Sequence, residues 1–248
     1  MASFFTDNYI KLDSATSTNN FAYNLLKSGK IKEGTVVTAL YQSKGQGQMG
    51  LKWESEHGKN ILMSIILSPD ILLKNQFHLN ICISLALHDF AKKYFKKEPK
   101  IKWPNDLLVD RKKLAGILIK NIVKSSTIKD AIIGVGLNVN QIKFKHYSLK
   151  ATSMKKLKEK DFDIEKLRKE LLDCIEERYL QFKQGEVEKM REEYITVLYG
   201  INQWKDYRIN GRKIKAKIVG IDNIGRLLLE REKGKTKSFS LKELSFLF

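Results

Sequence analysis

Apolar residues recur along the chain with the spacing of helices in some segments and of strands in others. Helical spacing predicts four helices: one beginning near Thr16 and ending at Gly29, one over residues 77–95, one beginning at Asp163 and one after Gly185. At the first of these, the polar run Thr-Ser-Thr-Asn precedes an apolar stripe, as is typical of a helix N-terminus. The segment 77–95 is apolar enough to be a long buried helix.

Short runs of apolar and β-branched residues predict the strands. These runs cover residues 35–41, 61–67, 100–103, 107–109, 114–123 and 131–139. Tight turns link several of them, while the helices lie apart in the sequence. This order favours an α+β fold with a mixed or antiparallel sheet over a parallel doubly wound one.

The pattern changes after about residue 195. Asn210-Gly211 stands between two alternating runs, which is a strong signal for a type I′ hairpin, and Asp222–Gly225 predicts another turn. Short strands at this spacing indicate a small β-barrel. We therefore predict two domains, residues 1–194 and residues 195–248.

Composition limits the class of protein. The 248 residues are 42% hydrophobic, enough for one sizeable core, and no apolar run reaches the ~18 residues of a membrane span. The first residues carry an acid and no basic segment, so we expect no secretory signal, no membrane contact and a cytoplasmic location. Cys82 and Cys174 fit no metal or redox spacing and are expected to be reduced core thiols.

A net charge of +18 raises nucleic-acid binding as an alternative. The lysines are scattered, however, and the basic runs contain no interleaved aromatic residues. We find no helix-turn-helix, zinc-finger or RNP-type pattern. The expectation is a solvated basic surface without a specific DNA site.

The glycine-rich segment Gly45-Gln-Gly-Gln-Met-Gly50 matches two phosphate-binding patterns only formally. A dinucleotide-binding loop must open a helix, whereas this segment leads to the strand at Ile61. A P-loop needs Lys-Ser/Thr where Leu51-Lys52 stands. Taken alone, the segment is explained equally well as a flexible hairpin.

Three later segments place polar or glycine residues at strand ends. They are Lys102-Trp-Pro-Asn-Asp106, Lys113-Leu-Ala-Gly116 and Gly134-Val-Gly136-Leu-Asn138. Each has an ordinary explanation by itself: a turn, a surface lysine, or close packing of strands. Together, and in this order after the glycine segment, they indicate one ligand site where backbones approach closely and side chains converge.

This ordered set resembles the biotin–protein ligase family over roughly residues 10–140, in the form that lacks an N-terminal DNA-binding domain. The resemblance implies a class II synthetase-like ligase domain followed by a small SH3-like β-barrel. It also implies the activity: biotin and ATP form biotinyl-5′-AMP, and biotin then passes to one lysine of a biotin carboxyl carrier domain. ATP, Mg²⁺ and biotin are the expected small molecules.

The resemblance assigns roles to residues of this chain. The reaction joins two anions, the carboxylate of biotin and the α-phosphate of ATP, so it needs cationic and N–H donors. Lys113 is the expected catalytic residue. The biotin-binding set is Ser17, Thr18, Asn19, Gln42, Gly45, Gln46, Gly47, Gln48, Lys113, Gly116 and Gly134; the ATP and adenylate set is Gln46, Gln48, Trp53, Lys102 and Asn138; Asp106 and Asn138 are the expected Mg²⁺ ligands. For Ser17-Thr18-Asn19, helix capping is the competing explanation.

One departure from the family pattern is in the glycine segment. Family loops commonly carry arginines where this chain has Gln46, Gln48 and Leu51. Glutamine donates hydrogen bonds to a phosphate but does not neutralise it. Lys44, Lys52 and Arg111 are the candidates to compensate, and we hypothesise that the segment orders over the adenylate.

Three alternatives remain open from the sequence. A lipoate–protein ligase-like enzyme uses the same acyl-adenylate chemistry, although its Arg-Arg-x-Ser-Gly-Gly-Gly signature is missing here. A non-catalytic protein that binds biotin, and one that binds nucleic acid, belong to a different class. A homodimer formed through an exposed sheet edge is also considered.

Overall fold

The computed structural model describes residues 4–5, 8–145, 149–231 and 234–248. Its larger part consists, in chain order, of β1 (Tyr9–Ala15), α1 (Thr18–Lys27), β2 (Val36–Gln42), β3 (Asn60–Leu67), β4 (Ile71–Leu72), α2 (Gln76–Lys92), β5 (Lys100–Lys102), β6 (Asp106–Val109), β7 (Lys112–Lys124), β8 (Thr127–Asn138), α3 (Met154–Lys158), α4 (Ile164–Lys183) and α5 (Val187–Thr196). The smaller part consists of β9 (Trp204–Ile209), β10 (Arg212–Ile221), β11 (Leu227–Glu230), β12 (Thr236–Phe239) and β13 (Leu244–Phe246).

Across the described ranges, the larger part forms one eight-stranded mixed sheet. Seven strands follow the order β1-β2-β3-β8-β7-β6-β5, and β4 pairs with β8 beside that path. The β1–β2 pair is parallel, and the other pairs are antiparallel. The predicted α+β class is therefore confirmed.

Strand β3 is buried along its whole length, which explains its nearly continuous apolar sequence. Met63 and Ile65 belong to the main core with α2 and α4 on one face of the sheet. Ile66 belongs to a smaller cluster with Ala22 of α1 on the other face. A strand covered by helices on both faces has no solvent-facing side to carry polar residues.

Strands β9–β13 form a second, antiparallel sheet, within the residues described, in the order β12-β11-β10-β9-β13. The predicted hairpin is present, with Ile209 paired to Arg212. Both turn residues have positive φ, 48° at Asn210 and 81° at Gly211, as a type I′ turn requires. The expectation of a small C-terminal β unit is confirmed.

Direct contacts join the two parts. Trp103 Nε1 donates to the carbonyl of Gly225 at 2.8 Å. The backbone N–H of Tyr199 donates to the carbonyl of Ile101 at 2.8 Å, which adds residues 197–199 to the edge of β5. Helix α5 ends at Thr196, just beyond the predicted boundary at 194/195, so the chain passes from one sheet to the other within a few residues.

Besides the two-residue strand β4, two elements of the larger part were not predicted. The edge strand β1 has mostly half-buried or exposed positions, and Asp13-Ser14 interrupts its alternation. Helix α3 spans five residues and depends on its cap, Ser153, whose side chain accepts from the N–H of Lys156. Neither segment carries enough apolar periodicity to stand out.

The remaining structural expectations concern membranes and cysteines. None of the helices in the described parts of the chain is long and apolar enough to cross a bilayer. Cys82 and Cys174 are free and buried, as predicted. Burial raises the pKa of both thiols, so both favour the neutral, unreactive form.

Candidate active site

The floor of the site is a gap in the central sheet where three glycines replace side chains. Gly134 of β8 is paired with Leu118 of β7 and Ser64 of β3, and Gly136 is paired with Gly116 of β7. Because residues two apart on a strand face the same side, these glycines lie together on the face that α1 covers. We call Gly116, Gly134 and Gly136 the glycine floor.

Two side chains lie against the glycine floor. A Cβ on Gly134 would be 2.5 Å from Oδ1 of Asn19, and a Cβ on Gly136 would be 2.4 Å from the indole of Trp53. Any side chain at these positions would therefore displace Asn19 or Trp53. Glycine is required here by space and not by backbone conformation.

A network of neutral groups closes one end of the pocket. Gln42 Oε1 accepts from the N–H of Thr18 at 2.8 Å and from its hydroxyl at 3.1 Å. The hydroxyl of Ser64, fully buried, lies 2.7 Å from Thr18 Oγ1 and 2.6 Å from Asn19 Oδ1. We call Ser17, Thr18, Asn19, Gln42 and Ser64 the neutral end.

Hydrogen bonds at the neutral end show whether the Ser17-Thr18-Asn19 motif lines the pocket or caps helix α1. Ser17 occupies the N-cap position of α1, but its side chain makes no capping hydrogen bond; Gln42 satisfies the first helical N–H instead. Ser17, Thr18 and Asn19 are all buried and line the pocket. Capping by these side chains therefore does not explain the motif.

Three charged residues lie at the other end, which we call the charged end. Lys113 Nζ lies 2.6 Å from Asp106 Oδ1, and Lys102 Nζ lies 3.2 Å from Asp106 Oδ2. The backbone of Lys113 is fixed by hydrogen bonds to residues 150 and 152. Its ammonium group also lies 5.2 Å from the ring of Trp53, so it faces the pocket. One carboxylate thus holds two cations near the glycine floor.

The glycine segment folds back on itself beside the pocket. Trp53 N–H donates to the carbonyl of Gly45 at 3.0 Å, and Gln46 forms a bridge with Lys52. A Cβ on Gly45 would be 2.6 Å from the carbonyl oxygen of Trp53, so glycine permits this close approach. As predicted, no long helix follows within the described residues; a single 3₁₀ turn over Gln48–Gly50 leads towards β3.

The cavity volume of the pocket is about 40 Å³. From the predicted set it brings together Ser17, Thr18, Asn19, Gln42, Gln46, Gly47, Gln48, Trp53, Lys113, Gly116 and Gly134. Gly45, Lys102, Asp106 and Asn138 do not line it directly. Lys102 and Asp106 belong to the charged end through the ion pairs above. Gly45 lines a second, neighbouring pocket with Lys44 and Lys52.

Two buried polar atoms beside the floor lack a partner within the described structure: Trp53 Nε1 and Asn138 Oδ1. The Asn138 amide is oriented by its own nitrogen, which donates to the carbonyl of Thr152 at 2.9 Å. A buried polar atom without a hydrogen bond costs on the order of 1–3 kcal/mol. Such atoms next to a pocket are suited to bind a ligand.

Several pocket residues were missed by the sequence reasoning. Ser64 interrupts the apolar run of residues 61–67 in the buried strand β3, a signal that was available. Asn105 also lines the pocket, where its amide donates to the carbonyl of Ile117 at 2.6 Å. The others line the pocket along β3, β7 and β8 and are Met63, Ile117, Leu118, Val135 and Gly136.

Comparison with known proteins places this geometry in context. Residues 10–138 match the model of the biotin/lipoate A/B protein ligase family, and residues 208–241 match that of the biotin protein ligase C terminal domain. These matches fall on the two sheets described above.

Individual relatives agree with the family models. The bifunctional ligase/repressor BirA of Bacillus spizizenii is 32% identical over 231 residues, covering 92% of this chain and 71% of that protein. The biotin–[acetyl-CoA-carboxylase] ligase of Mycobacterium tuberculosis is 29% identical, covering 70% of this chain and 65% of that protein. The structure of the Aquifex aeolicus biotin protein ligase in complex with biotin and ATP is 26% identical with a TM-score of 0.79, covering 96% of this chain and 98% of that one.

The glycine floor, the neutral end and the charged end all lie on or beside the segment that the family model matches. Since that match spans more than half of the chain and the Bacillus relative aligns over nearly all of it, the chain belongs to the biotin/lipoate A/B protein ligase family.

Proposed function

We propose that the chain is a biotin–protein ligase that activates biotin with ATP and transfers it to a lysine of a biotin carboxyl carrier domain. The observation that carries this proposal is one pocket with a neutral hydrogen-bonding end, a glycine floor and a lysine pair at its other end. Biotin is a neutral polar bicycle with a carboxylate tail, and these two parts match the neutral end and the charged end of the pocket. Family membership and the biotin- and ATP-bound Aquifex relative support the same activity.

In the first step, an oxygen of the biotin carboxylate attacks the α-phosphorus of ATP, and pyrophosphate leaves. Negative charge from two anions accumulates at one place, so a fixed cation stabilises the transition state more than the separated substrates. We assign this role to Lys113, whose ammonium faces the pocket. Lys102, the second cation on Asp106, is assigned to a phosphate contact.

In the second step, the amine of the acceptor lysine attacks the acyl carbon of biotinyl-5′-AMP, an amide bond forms and AMP leaves. Lys113 then stabilises the charge returning to the phosphate oxygen of the leaving group. The acceptor is a carrier domain of a biotin-dependent carboxylase. With a net charge of +18, this chain favours encounter with an acidic carrier surface.

The adenosine side is assigned to residues next to the floor. Asn138 presents a buried amide oxygen without a partner, and Trp53 presents an indole face above Gly136. Gln46 and Gln48 line the pocket and donate to the adenylate without neutralising it. The two lysines of the charged end are therefore the main source of positive charge in this site.

Mg²⁺ that arrives with ATP requires hard oxygen ligands. The described residues contain no group of three or more His, Cys, Asp and Glu side chains placed to hold a metal ion. Asp106 and the free Oδ1 of Asn138 are the oxygens we assign to it. When bound, such an ion would supply positive charge to the phosphate oxygens.

The neutral end favours biotin over lipoate. Biotin carries a ureido group with donors and an acceptor, which the amide of Gln42 and the hydroxyls of Thr18 and Ser64 match. The dithiolane ring of lipoate has no comparable groups and could not exchange hydrogen bonds with these side chains. A site built to hydrogen-bond its substrate rejects an analogue that lacks those groups strongly.

The experiment is pyrophosphate release measured with ATP and Mg²⁺ in the presence of biotin, of lipoate, or of neither, followed by label transfer to an apo carrier domain. We expect release that depends on biotin and label on one carrier lysine. Release with lipoate but not with biotin would show a lipoate ligase instead. Biotin binding without release would show a non-catalytic protein.

A further inference from the structure

Lys102 is held by two contacts that come from different parts of the chain. One is Asp106 of the same motif, whose Oδ2 lies 3.2 Å from Lys102 Nζ. The other is Phe246 of β13, whose ring centroid lies 5.1 Å from the same nitrogen. The Lys102 side chain is only 16% exposed, so both contacts act on a partly desolvated ammonium group.

Phe246 is itself held in place by its surroundings. Strand β13 pairs with β9, with Phe246 opposite Tyr207, and the rings of these two residues meet edge to face at 5.5 Å between centroids. Phe248 stacks against both Phe246 and Tyr199. Tyr199 is tied to β5 by its hydrogen bond to Ile101, next to Lys102. The ring that faces Lys102 therefore has little freedom to move.

The two contacts respond differently when a phosphate arrives. Asp106 is an anion and competes with phosphate for the ammonium group. The face of an aromatic ring attracts a cation through its quadrupole, carries no net charge, and leaves the other side of the ammonium group available. A ring contact can thus persist while the carboxylate is exchanged for a phosphate.

We propose that Phe246 of the C-terminal sheet is a positioning residue for Lys102 and so raises the affinity of the ligase for ATP. This inference rests on the proposed function only in assigning Lys102 to the phosphates of ATP. It gives the C-terminal sheet a role in nucleotide binding through one ring. Phe246 acts through Lys102 and has no part in the chemistry itself.

The test compares Phe246→Leu, which keeps an apolar side chain but removes the ring, with Phe246→Tyr, which keeps the ring. Equilibrium titration of ATP without biotin, and steady-state pyrophosphate release, are measured for both. For Phe246→Leu we expect the Kd and KM for ATP to rise about 3- to 10-fold, in the range of a partly buried cation–π contact. The biotin KM and kcat of Phe246→Leu stay near wild type. Phe246→Tyr keeps the wild-type affinity for ATP.

The matched control is Phe239→Leu, the same substitution in the same sheet at a ring whose recorded cation contact is Arg231. Thermal unfolding of both leucine variants measures any general loss of stability. Lys102→Ala with and without Phe246→Leu completes a double-mutant cycle, in which the second substitution adds no further loss of ATP affinity. If Phe246→Leu does not fold, Phe246→Met replaces it as a ring-free apolar side chain.

Three results would each overturn the proposal. They are equal losses of ATP affinity in Phe246→Leu and Phe239→Leu, a loss of ATP affinity in Phe246→Tyr, and fully additive losses when Phe246→Leu is combined with Lys102→Ala. A wild-type protein that binds ATP but releases no pyrophosphate with biotin would contradict the proposed function alone, because the ATP titrations still decide the role of Phe246. A wild-type protein that does not bind ATP would overturn both.

Discussion

The neutral end and the charged end of the pocket differ in how their polar groups are satisfied. At the neutral end, Thr18 and Ser64 are buried and hydrogen-bonded to each other, and Thr18 also to Gln42. At the charged end, the Lys113 side chain is 28% exposed and its strongest partner is Asp106, an anion that a substrate anion can replace. The first arrangement fixes a shape, while the second keeps charge available for exchange.

This contrast indicates that one end of the pocket selects the substrate and the other end catalyses the reaction. Buried neutral groups discriminate because a ligand with matching donors and acceptors can exchange hydrogen bonds with them and one without such groups cannot. Cations accelerate the reaction only when their interaction strengthens as charge accumulates in the transition state. Substitutions at the neutral end should therefore change the KM for biotin, and substitutions at the charged end should change kcat or the KM for ATP.

The largest effect is expected from Lys113→Ala. Loss of the pocket-facing ammonium should lower kcat for adenylation by about 10²- to 10³-fold, as for other groups that stabilise a transition-state anion. Pyrophosphate release under saturating biotin and ATP measures it. Lys112→Ala, an exposed neighbour in the same strand, is the control and should keep wild-type activity. If Lys113→Ala lost biotin affinity but kept its kcat, the assignment of catalysis to the charged end would be wrong.

Gly134→Ala should act on the neutral end. The new Cβ would lie 2.5 Å from Asn19 Oδ1, so Asn19 must shift from the glycine floor. Overpacking at such a site costs about 1–3 kcal/mol, which corresponds to a rise in the biotin KM of roughly 5- to 150-fold. Titration of biotin, with the KM for ATP measured alongside, tests this. An equal rise in both KM values would show that the two ends are not separable.

Ser64→Ala should have a smaller effect of the same kind. Removing the hydroxyl frees Thr18 Oγ1 and Asn19 Oδ1 from their shared partner without adding volume. One neutral hydrogen bond contributes about 1 kcal/mol, so the biotin KM should rise about 5-fold. Ser84→Ala removes another buried serine hydroxyl, in α2, and is the matched control. An unchanged biotin KM would remove Ser64 from the site.

Gln46→Arg should give the smallest effect, and it tests the role of charge by adding a cation to the pocket. It places at one pocket position the residue type that family loops commonly carry there. An added cation near the adenylate should slow dissociation of biotinyl-5′-AMP about 2- to 10-fold. The dissociation rate is followed by chasing labelled adenylate. Gln203→Arg, at an exposed site just before β9, adds the same charge elsewhere and should leave the rate unchanged.

The sequence predicted the elements with strong periodicity and the motifs that share one end of the sheet. Strand β3 and helix α2 were predicted to within a few residues because their burial leaves a long apolar signal. The ordered motifs predicted the pocket because several segments of glycine and polar residues follow one another in a fixed order, and together they leave room for a ligand and supply polar groups to it. Local patterns of this kind are readable without knowledge of the fold.

Contacts between segments that are distant in the sequence could not be predicted from local patterns. That Asp106 would bind both Lys102 and Lys113 depends on the turn and the register between β6 and β7. That Gln42 would satisfy the first N–H of α1 depends on the parallel pairing of β1 and β2. Such contacts are set by tertiary geometry, for which one sequence carries no local signal.

The hydrogen bond from Trp103 to the carbonyl of Gly225 links the second signature motif to a turn of the C-terminal sheet. Gly225 also packs against Phe77 of α2, and the carbonyl of Pro104 accepts from Tyr194 of α5. The two sheets therefore do not behave as exchangeable modules. A chimaera that joined this N-terminal region to the C-terminal region of another ligase would need a matching turn under Trp103, and a shortened chain ending before that turn would leave the indole of its own signature motif without an acceptor.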